Sequence, residues 1–399
     1  MINIFKKIIF LLFFLVCLGG IILYSRGYRF NFKEKNLGAI GIIAINSDPN
    51  AAKIYINSQL KGVTNQSFQL PPGEYLIEIK KDGYTNWQKK LKIKGELVYT
   101  IDAQLFPINP SLVPVTNIGI TKAIAIDQTE KILIFSDKND LEKDGIYLFE
   151  ANKRPLSLFP PLKLLVLKKN IPLETVDFNQ INVEFSADYK EAIIEFNPDQ
   201  ETSRTFLINL ESENTEPTDI TNSKDALLTI YQQEKQKEIE KILESFPKEI
   251  TKIASGSFEI VGFSPDKRKL LYKTKDNIDL PLVLKKPLIA ANQTPETRSL
   301  KKEILYVYDK KEDKNYALEN LKLDENNLPQ WHPNAKQLVF SANKKISVID
   351  FDGLNQQTIY SGPYENNFFV VTSDGKVVIL VNLNQENNLL PDLYAINLR

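Results

Sequence analysis

The chain has 399 residues, 43% of them hydrophobic, and its 50 Lys plus Arg balance 50 Asp plus Glu, so the formal net charge is zero. That length supports two or three globular bodies at roughly 100 to 200 residues each, and the balanced charge excludes a chain-wide basic footprint for nucleic acid. With one Cys, one His and one Met, an intramolecular disulfide framework and a zinc site of the usual Cys/His kind are excluded. Hydrolase chemistry that relies on imidazole has only His332 to use.

At the N-terminus, Lys6 and Lys7 precede the run Ile8 to Tyr24, uncharged for 17 residues, which as a helix spans about 25 Å. Tyr24, Arg26, Tyr28 and Arg29 then supply an interfacial belt. This pattern predicts a single-pass transmembrane anchor over 8–24, a cytoplasmic tail over 1–7 and an extracytoplasmic body. A cleaved signal peptide fits less well, because only Cys17-Leu18-Gly19 resembles a cleavage site. A lipoprotein needs a small residue where Val16 stands. Charge counting opposes the orientation, since Arg26, Arg29, Lys33 and Lys35 outnumber Lys6 and Lys7. The outward assignment rests on the usual export of large β domains behind short anchors.

From about residue 38 the apolar period becomes two. Ile54 and Ile56 alternate with Lys53, Tyr55 and Asn57; Tyr75, Ile77 and Ile79 alternate with Leu76, Glu78 and Lys80; Tyr99, Ile101, Ala103 and Leu105 share one face. Turn signals at Asp48-Pro49-Asn50, Pro71-Pro72-Gly73 and Asp82-Gly83 separate these runs. A half-buried antiparallel sheet folded into a small β-sandwich is expected over 38–106. In order, Ser47-Asp48-Pro49, Lys53-Ile54-Tyr55-Ile56-Asn57, Gly62-Val63-Thr64, Leu70-Pro71-Pro72-Gly73-Glu74-Tyr75 and Asp82-Gly83-Tyr84 resemble the PEGA domain. Two turn positions depart from its pattern: Ser58 stands where Gly is usual, and Asn65 where Pro is. The resemblance implies a non-catalytic module of cell-surface proteins. Tyr84 and Trp87 read as packing aromatics, with ligand stacking the alternative.

Pro107, Pro110 and Pro114 predict an extended linker over 107–117. Beyond it, over 118–399, a motif recurs: an apolar residue, a polar turn with Asp or Asn, then an apolar strand. The clearest copies are Val261-Gly262-Phe263-Ser264-Pro265-Asp266 and Pro329-Gln330-Trp331-His332-Pro333-Asn334; Val183 to Asp188, Val371 to Lys376 and Thr129 to Phe135 are weaker. They resemble TolB-type β-propeller repeats, which implies an all-β fold of about five to seven blades. Anchored on Asp188, Asp266, Asn334 and Asp374, the spacings are 78, 68 and 40, and the long gaps require insertions. One insertion, over about 224–246, carries Ile239, Ile242, Leu243 and Phe246 at helical spacing with Glu234–Lys237 and Glu238–Lys241 pairs, and stops at Pro247. Residues 276–300, with Pro281, Pro287 and Pro295, read as a loop.

No catalytic, cofactor-binding or metal-ligating residue stands out. His332 fills the slot of Ser264 in the sister repeat and reads as a turn residue, while Trp331 matches Phe263 as a blade-core aromatic. The segment Asp137 to Asp144 invites calcium but has Leu141 at a ligand position. Carboxylate pairs for glycoside hydrolysis are many, and no spacing singles one out. The expected function is a cell-envelope, bacterial, non-catalytic binding or scaffold module with a protein or cell-wall glycan ligand, no cofactor and the membrane as partner. The alternatives are a propeller-type glycan hydrolase or lyase and a tethered sensor or assembly factor.

Overall fold

The computed structural model describes residues 2–25, 28–31, 36–126, 129–151, 162–198, 203–319, 321, 323, 327–383 and 389–398. Arg26, Lys33 and Lys35, used above for membrane orientation, lie outside the described residues. The chain divides into two compact units: Met1–Ile108 with Lys285–Pro295, and Asn109–Leu284 with Glu296–Arg399.

Helix α1 runs Ile2–Ser25. Among the described residues no helix is long and apolar enough to cross a membrane, so the transmembrane anchor expected at 8–24 is not supported. The uncharged run of 17 residues within α1 is at the lower limit of the roughly 17–25 that a bilayer core requires. Its large side chains, Phe10 and Phe13 among them, are exposed. Two short strands follow, β1 (Tyr28–Asn31) paired with β2 (Asn36–Ala39).

The rest of the first unit is two sheets facing one core. Strands β3 (Gly41–Asp48), β6 (Gln66–Leu70) and β9 (Val98–Gln104) form one, in the order β6-β3-β9. Strands β4 (Lys53–Ile56), β5 (Gln59–Val63), β7 (Gly73–Lys80) and β8 (Trp87–Ile93) form the other, in the order β5-β4-β7-β8. The alternation places Ile54, Ile56, Ile77, Ile79 and Ile101 inward, all buried, each worth about 1.5–3 kcal/mol. One pairing departs from the antiparallel expectation: β3 and β9 run parallel, because β9 returns to the first sheet after β8 has completed the second. The two turn departures also find their reasons. Asn57 and Ser58 both have positive φ, 49° and 64°, the conformation of a two-residue hairpin turn. Asn65 Oδ1 accepts the Ser47 N–H at 3.3 Å.

The second unit contains five four-stranded antiparallel sheets among the described residues. Strand β10 (Leu112–Pro114) comes first in the chain. Sheet one is β11 (Lys122–Ala125), β12 (Lys131–Ser136), β13 (Gly145–Glu150) and β14 (Leu162–Leu167); sheet two is β15 (Ile181–Phe185), β16 (Glu191–Phe196), β17 (Arg204–Asn209) and β18 (Thr218–Asp219). Two helices, α2 (Lys224–Leu243) and α3 (Lys248–Ser257), precede sheet three. That sheet holds β19 (Phe258–Phe263) and β20 (Lys269–Thr274), then, after a small pair β21 (Ile278–Asp279) and β22 (Ser299–Leu300), β23 (Leu305–Asp309) and β24 (Lys314–Ala317). Sheet four is β25 (Gln330–Trp331), β26 (Gln337–Ala342), β27 (Lys345–Asp350) and β28 (Gln357–Tyr360). Sheet five joins β29 (Phe369–Val371), β30 (Val377–Val381) and β31 (Asp392–Ile396) to β10.

Successive meander sheets whose last member borrows a strand from the other end of the unit are the topology of a β-propeller. The packing agrees. Phe135 and Leu148 of sheet one share a core with Ile194 and Phe206 of sheet two. Leu271 and Val307 of sheet three pack with Leu338 and Phe340 of sheet four. The Gln330 side-chain amide joins β25 to β29, donating to Phe369 O at 3.0 Å and accepting from Val371 N–H at 2.9 Å. Val378 and Leu393 of sheet five meet Ile134 and Phe149 of sheet one.

Sheets two and three share α2. Leu227, Leu228 and Tyr231 pack on Ile193 of sheet two, while Ile239, Ile242 and Leu243 join the core of sheet three. Pro247 does stop α2, but it also caps α3, whose Ile250 and Ala254 are buried; the expected single insertion helix is a pair.

Candidate functional site

The fully described first-to-second-strand turns cover 186–190, 264–268, 332–336 and 372–376, five residues each. Their hydrogen bonds repeat. Ser186, Ser264 and Thr372 each donate a hydroxyl to the Asp two residues on, Asp188, Asp266 and Asp374. The same hydroxyls accept the N–H groups of Lys190, Arg268 and Lys376. The fourth position has positive φ in Tyr189, Lys267, Ala335 and Gly375, which is why the repeat pattern calls for Gly there. For Asp266, partial burial acts to raise the pKa, but the Ser264 and Arg268 hydrogen bonds and the Lys269 charge outweigh it and hold the carboxyl below its usual range. Asp188 and Asp374 are lowered in the same way against the same burial.

In a meander sheet, second-to-third-strand connections and the links between sheets emerge at the opposite end from these turns. Several of those segments are long, 137–144, 275–304 and 382–391 within sheets and 168–180, 220–257 and 318–329 between them, whereas sheet four has only the two-residue turn 343–344. Function on propellers and barrels tends to sit on such loops, held by a rigid scaffold. Carboxylates fasten these segments both at their bases and where they run along the sheets to the turn end. Asp144 accepts the N–H groups of Lys138 and Asp140, each at 2.8 Å. Lys168 pairs with Asp137 at 2.6 Å. Asp313, buried, accepts Val283 and Leu284 N–H and the Tyr308 hydroxyl, and Arg298 donates to Pro281 O at 2.6 Å. On α2, Lys224, Tyr231 and Lys235 reach Glu195, Glu191 and Glu184 of sheet two. Lys122, opening β11, donates to Ile181 O at 3.1 Å, and burial lowers its pKa against the raising charge of Asp177.

The surface of these loops is apolar in places. Of the exposed large apolar residues of the second unit, Leu141, Leu328, Leu383 and Leu389 lie on connections at this end, whereas Leu282 adjoins Val283, which Asp313 holds at the turn end, and Ile230 adjoins Tyr231, which donates to Glu191 beside the 186–190 turn. The described residues of the unit add Val113, on the outer strand β10. No pattern in the sequence marked this set, because strand order decides which loops share an end.

The residues singled out earlier take other places. His332 occupies the position of Ser264: its N–H donates to Gln337 O at 2.9 Å and its Nδ1 accepts Asn334 N–H at 3.4 Å. It is buried, and its Nε2 lies 3.1 Å from where a side chain on Gly375 would begin. Trp331 is half-buried against the core shared by sheets three and four, with Nε1 buried and without a hydrogen-bond partner. Trp87 lies in the core of the first unit and Tyr84 packs against it. Asp144, the carboxylate at the end of the segment read for calcium, spends both oxygens on backbone N–H groups. Among the described residues no group of three or more His, Cys, Asp or Glu is placed to hold a metal ion.

Among solved structures, the chain is similar to a protein described as TolB from Agrobacterium tumefaciens, at 13% identity over 78% of this chain and 89% of that one, TM-score 0.17. The β-propeller domain of the Trilobed protease from Pyrococcus furiosus matches at 11% identity over 93% and 88%, TM-score 0.21. An oligogalacturonate lyase in complex with manganese matches at 9% identity over 82% and 86%, TM-score 0.28. The sheet order, not these scores, makes the second unit a propeller. No curated protein matches the chain. Within the first unit, residues 40–109 match the PEGA domain.

Proposed function

We propose that the chain is a non-catalytic binding module whose second unit takes a protein partner on its loop-bearing end. The observation that carries this reading is that Leu141, Leu328, Leu383 and Leu389 are exposed on the connections of one end. Exposed apolar side chains on fastened loops suit association with another protein, where they are removed from water on binding. At the opposite end, three of the first-to-second-strand turns engage hydroxyl and carboxylate with one another.

The test is capture by site-specific crosslinking from residues 141, 328 and 389 in cells of the source organism. Leu141→Asp with Leu389→Asp should lose the captured protein, whereas Lys267→Asp, on the opposite end, should retain it. Equal capture by all three proteins would refute the reading. Binding of purified chain to isolated cell-wall glycan, unaffected by the loop variants, would favour a glycan ligand instead. We also place the protein at the cell surface, the setting that the PEGA resemblance implies; protection of the whole chain from protease added to intact cells would reverse that.

A further inference from the structure

Strand β8 and the residue after it carry four lysines, Lys89, Lys90, Lys92 and Lys94, with no acidic residue from Trp87 to Gly95. Lys89 is half-buried, whereas Lys90, Lys92 and Lys94 are exposed. Alternation explains the split. Trp87, Leu91 and Ile93 belong to the core, so the side chains between them stand on the outer face of the sheet. Residues two apart along a strand are about 6.7 Å from one another, which makes a single row of like charge. The neighbouring strand offsets it little. Glu74 stands opposite Lys92, but Leu76 stands opposite Lys90, and Glu78, opposite Gln88, is engaged with Lys80 at 2.6 Å.

The fold brings a second such segment to the same unit. Lys285–Pro295 belongs to the first unit, contains Lys285 and Lys286 and has no acidic residue. It is held firmly at β8. Lys92 N–H donates to Gln293 Oε1 at 2.7 Å, and Gln293 Nε2 donates to Lys92 O at 3.0 Å. Ala290 packs against the core and Thr294 is buried. Lys285, Lys286, Leu288 and Ile289 are exposed. Lysines on an outer strand also serve to keep a bare sheet edge from pairing. At Lys92 the amide of Gln293 already occupies that edge, so the row is not needed there for that purpose.

We propose that these two segments form one binding surface for an acidic polysaccharide, a linear glycan with a carboxylate on its repeating sugar. A row of ammonium groups complements a linear array of negative charge, and contact between them releases counterions, as at any densely charged polymer. Leu288 and Ile289 add apolar surface, which suits the C–H faces of sugar rings better than a bare phosphate chain. The loop-bearing end of the second unit is not involved: crosslinking from residues 141, 328 and 389 reads that partner, and lysine variants read this one.

The experiment measures the affinity of the full chain for alginate, a uronate polymer, with neutral dextran, inorganic polyphosphate and anionic-lipid vesicles alongside. Wild type should bind alginate and not dextran, and more weakly at raised salt. Lys90→Gln with Lys92→Gln and Lys94→Gln should weaken alginate binding roughly tenfold or more and flatten its dependence on salt. Lys285→Gln with Lys286→Gln should weaken it too. Lys301→Gln with Lys302→Gln, an exposed pair in the second unit, should bind as wild type does. All these lysines are exposed, so thermal melts should stay unchanged and a loss of binding is not a loss of fold. No affinity for alginate, equal affinity of the triple variant and wild type, or an equal loss in the second-unit pair would overturn the proposal. So would binding of polyphosphate or vesicles without alginate.

Discussion

Replacing Asp392 tests how the second unit closes its ring. Asp392 opens β31, is 8% exposed, and its Oδ1 accepts both the Thr116 hydroxyl at 3.0 Å and the Gly119 N–H at 3.1 Å. Residues 115–121 lead from β10, the strand contributed to sheet five, into sheet one. Val115 N–H also donates to Leu393 O, and Ile120 N–H to Pro391 O, so the carboxylate sits where the two ends of the ring are joined. A hydrogen bond to a charged acceptor contributes about 1.5–3 kcal/mol, and a buried N–H left without a partner adds to the loss. Asp392→Ala removes both bonds and should cost about 3–5 kcal/mol. Asp392→Asn keeps an oxygen at the same place with neutral strength, for a cost of about 1–2 kcal/mol. For a unit of this size, the Ala variant should melt roughly 6–15 °C lower. Urea denaturation followed by Trp331 fluorescence, in a Trp87→Phe background, isolates the second unit. An Ala variant within about 1 kcal/mol of wild type, or an Asn variant as unstable as Ala, would refute the reasoning.

Four further outcomes are expected. Lys267, exposed, holds φ of 54° in its turn, so Lys267→Gly should stabilise the second unit by about 1 kcal/mol, read as a higher urea midpoint. The Tyr272 hydroxyl donates to Asn315 Oδ1 at 2.9 Å, whereas that of Tyr316 is buried without a partner; Tyr272→Phe should cost about 1 kcal/mol and Tyr316→Phe should be neutral or stabilising, and equal effects in thermal melts would contradict this. Asp188, Asp266 and Asp374 have lowered pKa values, so their contribution is complete above the unfolded value of about 3.9 and is lost as pH falls through the folded values. Melting temperature should therefore drop below about pH 4, and less steeply in Ser264→Ala with Thr372→Ala. Finally, His332→Ser restores the hydroxyl of the sister turns and should leave partner binding intact at a stability cost below about 2 kcal/mol; loss of an activity with the fold preserved would bring the hydrolase reading forward.

Local chemistry was legible in the amino-acid order. Alternation over 53–56 and 75–79 named the inward residues, because side chains along a strand point to opposite faces. The Asp and Asn anchors at 188, 266, 334 and 374 marked turns of one kind, because hydroxyl, carboxylate and backbone there lie within five consecutive residues. The helical spacing of Ile239, Ile242 and Leu243 likewise named the face that packs on sheet three.

What depended on distant pairing was decided only in three dimensions. The pairing of β10 with β31 across most of the unit is a closure that no local window contains. The polar stripe of α2 at Lys224, Tyr231 and Lys235 acquires meaning only against the glutamates of sheet two. Apolarity at the N-terminus was plain in composition, and the structure adds that Ile2–Ser25 is one helix. Gln293 is an unremarked polar residue in a proline-bearing loop until the fold brings its amide to the open edge at Lys92, because hydrogen-bond geometry between residues 201 positions apart is set by packing and not by sequence neighbours.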